Sequence, residues 1–218
     1  MTGNKMLVTL SLGLFVGFLL TFNSGMAKDS EFVGVKGCAK CHKKEKVGAQ
    51  TAKWEKSEHA KAFEVLKSDE AMAAAKKVGV TGKPSESPEC LVCHTTAFGV
   101  DDKLIGKKFK VEEGVQCEGC HGPGSQYDSK KVKKALSKLK ESLSKKPGDA
   151  GLMAKVEAER AKLNKEVGLM IPGEKFCKGC HAAERTLNGK TYKNPSWDPK
   201  KGFDYKERLK EIAHPTKY

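Results

Sequence analysis

Apolar positions fall at helical spacing in several separate stretches of the chain. In residues 51–66, Trp54, Phe63 and Leu66 punctuate a run of Ala, Glu and Lys, which predicts a helix, and residues 69–78 predict a second, short one. Gly82, Pro84 and Pro88 make residues 79–88 a loop. Residues 98–115 alternate weakly, as at Phe109, Lys110 and Val111, and predict a short hairpin. Residues 129–168 read as a helical hairpin. Val132, Ala135, Leu136, Leu139 and Leu143 form one apolar stripe, and Leu152, Val156, Leu163 and Val167 form the other. Pro147 and Gly148 break the run between them, and Asp149 is placed to cap the second helix.

One stretch is apolar all round. Lys5 gives a basic start, residues 6–22 are apolar, and Gly25, Met26 and Ala27 supply small residues before a cut. This pattern predicts a signal peptide over residues 1–27, removed to leave one domain over 28–218, and a periplasmic or otherwise exported protein. The alternative is a retained anchor, because an apolar run of this length borders on a membrane span. With no cysteine in the leader, a lipid anchor has no attachment point. No later stretch predicts a membrane span, so none is expected after cleavage.

The mature segment is poor in core-forming residues. Hydrophobic residues make up 38% of the whole chain even with the leader counted, and aromatics 7%. A domain of that composition buries a thin core.

The cysteines resolve this. All eight lie in four copies of Cys-x-x-Cys-His: Cys38, Cys41 and His42; Cys90, Cys93 and His94; Cys117, Cys120 and His121; Cys177, Cys180 and His181. The two-residue spacing sets two thiols about one helical turn apart, within reach of the two vinyl groups of one haem, and the adjoining histidine becomes an iron ligand. A zinc knuckle or a redox dithiol needs no histidine at that position. With six histidines in 218 residues, chance places one after all four pairs roughly once in a million trials. The cofactor expected is four covalently bound haem c groups, whose apolar faces supply the missing core. Export agrees with this, since bacteria attach haem to such chains outside the cytoplasmic membrane.

Four haems have eight axial positions. The motif histidines fill four, and only His59 and His214 remain. Each has an ordinary reading, on a charged helix face or in a C-terminal tail, but the unmet iron positions make both candidate metal ligands. At most two haems can then have two histidine ligands within one chain. The other two take Met72, Met153, Met170, a lysine or a neighbouring chain's group, or keep an open position. An axial methionine would raise the potential relative to a second histidine.

The formal net charge is +14. Losing Lys5 with the leader, and adding eight propionates and four ferric cores, leaves about +9. The first helix of the 129–168 hairpin holds Lys130, Lys131, Lys133, Lys134, Lys138, Lys140, Lys145 and Lys146. Such a run is either a solvated face or a docking surface for an acidic redox partner. Export and the lack of interleaved aromatics argue against nucleic acid.

Several flanking residues add a resemblance. Trp54 followed by His59, Ala60, Lys61 and Ala62, the second motif with Phe98 and Gly99 close behind, and Cys117 through Gly124 resemble the tetrahaem cytochrome c-554 family. The resemblance covers roughly residues 32–128, the fourth motif and the C-terminal helix with His214. It implies a mainly α fold with little sheet, a haem-dominated core and neighbouring haems stacked in parallel pairs. It implies that His59 ligates the haem of His181, that His214 ligates the haem of His121, and that the haem of His94 is five-coordinate. The family supplies a further distal histidine after the third motif. Here residues 125–176 contain none, so the haem of His42 lacks its expected partner, and Met170, Met153, a lysine such as Lys131, or an open position stands in its place.

The function expected is an electron carrier between redox partners, possible partners including other multihaem cytochromes. No catalytic residue is assigned. Two alternatives remain: a reductase of nitric oxide or a related nitrogen compound at an open haem, and a subunit of a larger multihaem assembly. Against catalysis, no Cys-x-x-Cys-Lys motif and no cluster of proton-delivering residues is evident near His94, where Thr95, Thr96 and Phe98 follow.

Overall fold

Short helices follow the motifs along the chain. The computed structural model describes residues 30–127 and 129–214, so the leader lies outside the described residues. In order come α1 (Val35–His42), α2 (Gln50–Glu55), α3 (Asp69–Lys77), α4 (Pro88–His94), α5 (Cys117–His121), α6 (Lys130–Lys145), α7 (Ala150–Glu166) and α8 (Glu174–Cys177), then strands β1 (Glu184–Leu187) and β2 (Lys190–Lys193), and α9 (Tyr205–Ile212). The fold is mainly helical, with one two-stranded sheet among the described residues. No helix among them is long and apolar enough to cross a membrane.

Local chemistry fixes most helix ends. Ser68 accepts from the Ala71 N–H to start α3, whose first turn is acidic and last turn basic, as the helix dipole favours. Ser129 caps α6 through Val132, Asp149 caps α7 through Leu152, and Asp204 caps α9 through Glu207. Helices α6 and α7 run antiparallel. An ion pair between Lys131 and Glu166 joins the first turn of one to the last turn of the other, and Val132, Val156 and Leu163 are buried. The rest of the α6 stripe is less covered, with Leu136 exposed. The eight lysines from Lys130 to Lys146 are all exposed.

Two expectations are corrected. Residues 51–66 do not form one helix. It ends at Glu55, and turns lead into a 3-10 segment at Glu64–Lys67. The cause is tertiary: the Trp54 indole donates to the Val115 carbonyl at 2.8 Å, and the Val115 N–H donates to the His59 carbonyl at 3.0 Å. These bonds clasp the chain against the approach to the third motif and take His59 off the helix axis. Gly114 permits the close approach. Its φ is 71°, and a Cβ there would lie 2.7 Å from the His59 carbonyl oxygen.

Residues 98–115 hold no hairpin either. They form two 3-10 turns, Asp102–Leu104 and Val111–Glu113, and Ile105 bridges to Phe32 in parallel. The hairpin lies instead at β1 and β2, joined by Asn188 and Gly189 with φ of 51° and 76°. Two successive positive φ values match the right-handed twist of paired strands, and Asn-Gly is the favoured pair for it.

The apolar core is thin and dispersed. Its buried members include Phe63, Leu66, Val92, Val132, Leu163 and Tyr192. Several large apolar side chains instead stand exposed around the third and fourth motifs: Met170, Phe176 and Ile171, the last at 74%.

Candidate haem sites

In the first three motifs, both cysteines and the histidine occupy the last turns of one short helix: α1, α4 and α5 end at His42, His94 and His121. The fourth starts at the end of α8, and hydrogen bonds from Cys180 and His181 to the Cys177 carbonyl continue its turn. Gly122, at φ 79°, ends α5 just before Pro123. All eight thiols are free, with no disulfide between them.

Four of the histidines hold one ring nitrogen in a hydrogen bond and leave the other free. His94 Nδ1 lies 2.6 Å from the Ala62 carbonyl, His121 Nδ1 2.9 Å from the Met170 carbonyl, and His214 Nδ1 2.7 Å from the Ile212 carbonyl. A carbonyl only accepts, so each Nδ1 carries the proton and each Nε2 keeps its lone pair for a metal. His42 Nδ1 meets Gln50 Oε1 at 3.2 Å, while Gln50 Nε2 donates to the Val47 carbonyl, which leaves Oε1 as the acceptor. Burial pushes His59, His121 and His181 below the ordinary histidine value, holding these rings in the neutral form that ligates.

Two pairs of imidazoles lie close together with steeply inclined ring planes. The ring centroids of His59 and His181 are 5.8 Å apart, and those of His121 and His214 are also 5.8 Å apart. Two imidazoles on opposite sides of one metal, each at about 2 Å from nitrogen to metal, stand roughly 6 Å apart between ring centres. Phe203 stacks on His181 at 4.6 Å and an interplanar angle of 10°, fixing that ring's plane. Among the described residues, His42 and His94 have no such neighbouring imidazole.

The motifs also meet one another. Cys38 and Cys117 lie close enough to act on each other, as do Cys93 and Cys180. Cys117 and burial push the Cys38 thiol far up, while Cys180 and the Arg185 guanidinium pull Cys93 down to about 7. Burial raises Cys120 to about 11.

A buried polar lattice, which sequence reasoning missed, joins the first and third motifs. Glu118, 3% exposed, accepts from the backbone N–H groups of Val33 and Gly34 at 2.8 Å and of Gly124 at 2.7 Å. Gln116 accepts from the Val35 N–H and donates to the Lys110 carbonyl. Both residues stand inside or beside a motif, where the cysteine pattern outweighed them. No sequence signal distinguishes a buried glutamate from a surface one here.

These features fit haem and not zinc. Structural zinc needs four convergent ligands, and no cluster of three or more His, Cys, Asp or Glu among the described residues could hold a metal ion. Paired thiols on one turn, bare Nε2 atoms, opposed imidazoles and exposed apolar side chains beside them suit a porphyrin held at its edge, its iron and its faces. The chemistry defines the class, a c-type cytochrome: an electron-transport protein with covalently bound haem c. Known proteins agree. Residues 37–122 match the family described as cytochrome c554 and c-prime. The cytochrome c-554 of Nitrosomonas europaea is 29% identical over 223 residues, covering 95% of this chain and 85% of that protein. The chain is thus similar to that cytochrome over most of its length and to the family's model over residues 37–122. No solved structure matches.

Proposed function

We propose that the chain is an exported tetrahaem electron carrier, its leader over residues 1–27 removed to leave one domain. The observation that carries this reading is the pair of opposed imidazole couples at 5.8 Å, because nothing in a carrier-free helical domain calls for two such arrangements beside thiol pairs. Bound haem supplies one-electron chemistry between ferric and ferrous iron. The chain's residues do the rest. Cys38, Cys41, Cys90, Cys93, Cys117, Cys120, Cys177 and Cys180 anchor four groups, and His42, His94, His121 and His181 ligate from one side. His59 completes the site of His181, and His214 that of His121. The contacts of Cys38 with Cys117 and of Cys93 with Cys180 support grouping the haems as first with third and second with fourth, in stacked pairs. The exposed lysines of α6 suit an acidic redox partner, with other multihaem cytochromes as candidates.

A second reading has its own observation. His94 has no opposing imidazole, so its site suits a small ligand and turnover of nitric oxide or a related compound. Steady-state assays with nitric oxide, nitrite and hydroxylamine separate the two. A carrier exchanges electrons rapidly with a redox protein and shows no turnover, whereas sustained consumption of any of the three favours the reductase. Intact mass tests the haem count: the carrier reading expects the cleaved chain plus four haems, and zinc or fewer haems in maturation-competent cells contradicts it.

A further inference from the structure

Arg185 lies where the second and fourth motifs meet. From β1 its guanidinium donates to the Val92 carbonyl of α4 and, at 2.9 Å, to Cys180 Sγ. Val92 stands between the two cysteines of the second motif, and Cys93 lies close enough to Cys180 for the two to act on each other. The side chain is half-buried. Among the described residues no carboxylate pairs with it. The hairpin that carries it is held on α4 by the Lys190–Glu89 ion pair at 3.0 Å and by Tyr192, which is buried and packs edge-on against Phe98.

At the other pair of motifs the charged neighbours differ: carboxyls, those of Glu118 and Glu113, act on Cys38 and Cys117 in place of an arginine, and burial raises the Glu118 carboxyl above its ordinary value.

We propose that Arg185 is a potential-setting residue: a fixed cation at the shared cysteine edge of the second and fourth haem sites that makes those two haems easier to reduce. The proposal rests on the tetrahaem reading above. A cation beside a redox centre favours the form with one more electron, and charge and hydrogen bonding around a bound haem are levers on its potential. Each reduction places one electron on one ferric haem, drawn from a redox partner. No bond or proton changes hands at Arg185.

The test uses the matured holoprotein and two variants, Arg185→Gln and Arg185→Lys, followed by spectroelectrochemical titration. At about 10 Å and an effective dielectric near 20, losing the charge is worth on the order of tenfold in the ratio of reduced to oxidised haem, about 59 mV for one electron. Arg185→Gln should lower two of the four potentials by that amount and leave the other two in place. Arg185→Lys should stay within about twofold of the parent at pH 7. Raising the pH through about 10.4, where lysine loses its charge, should then lower the same two potentials in Arg185→Lys and not in the parent. That arm keeps the test decisive if Arg185→Gln fails to mature. Unchanged potentials in Arg185→Gln, equal shifts in both variants at pH 7, or no pH response in Arg185→Lys would overturn the proposal. Intact mass, read first, shows separately whether the parent holds four haems, so a failure of the haem assignment is not mistaken for a failure of this one.

Discussion

His59 and His181 stand with ring centroids 5.8 Å apart and ring planes at 69°, although they lie far apart in sequence. His59 arrives on a turn clasped to Val115, and His181 is held by the stacked ring of Phe203. Removing one partner empties an axial position without touching a thioether. His59→Ala should therefore retain all haems by mass and bind one more carbon monoxide per ferrous protein than the parent. An unchanged carbon monoxide stoichiometry would show that His59 ligates no iron.

Glu118 joins three segments with one carboxylate. In Glu118→Gln one oxygen becomes an amide nitrogen, so a backbone N–H that now donates to the carboxylate faces another donor. An unsatisfied buried donor costs about 1–3 kcal/mol. Denaturant unfolding of the holoprotein should show a loss in that range, with haem content unchanged. Equal stability would mean that the lattice contributes nothing net.

Glu89 gives the pH dependence a sign. Ser87, its own backbone N–H and Lys190 lower its carboxyl from the ordinary 4.5 to about 2. A depressed carboxylate contributes stability that is complete above the unfolded value and is lost as pH falls through the folded one. The contribution should fade between about pH 4.5 and pH 2. Glu89→Gln should flatten that part of the acid-unfolding curve, and the same slope in both proteins would count against the assignment. Glu118 tilts the other way, since burial raises its carboxyl above the usual range.

The lysines of α6 make a kinetic prediction. Exposed charges are screened beyond about 8–10 Å at 0.1–0.15 M salt, so association with an acidic redox protein should slow as salt rises. Reversing Lys133, Lys134 and Lys138 to Glu should slow it further at low salt. Stopped-flow rates that ignore both salt and charge reversal would leave the run a solvated face.

Much of the site was legible because its chemistry is local. A Cys-x-x-Cys-His motif specifies its own helical turn, and the three motif helices end at their histidines as that spacing requires. Helices α6 and α7 were legible from periodicity, with Asp149 as the cap of the second. The break after Glu55 was not, because its cause is a contact with Val115, sixty-one positions from Trp54. The hairpin at Asn188 and Gly189 carried a readable turn signal, yet weak alternation over residues 98–115 drew the strand prediction instead. Glu118 and Arg185 were invisible for the same reason as the break: their roles depend on which distant segments arrive beside them.

The most direct test of the account is spin state and axial ligation in the ferric protein, read by low-temperature paramagnetic resonance and near-infrared magnetic circular dichroism on a dilute monomer. The two imidazole pairs, with ring planes at 69° and 80°, predict two low-spin haems with two histidine ligands each, and two haems that are high-spin or carry a different sixth ligand. His59→Ala and His214→Ala should each abolish one of the two bis-histidine signals. Four bis-histidine haems in the monomer, or bis-histidine signals that survive both substitutions, would contradict it.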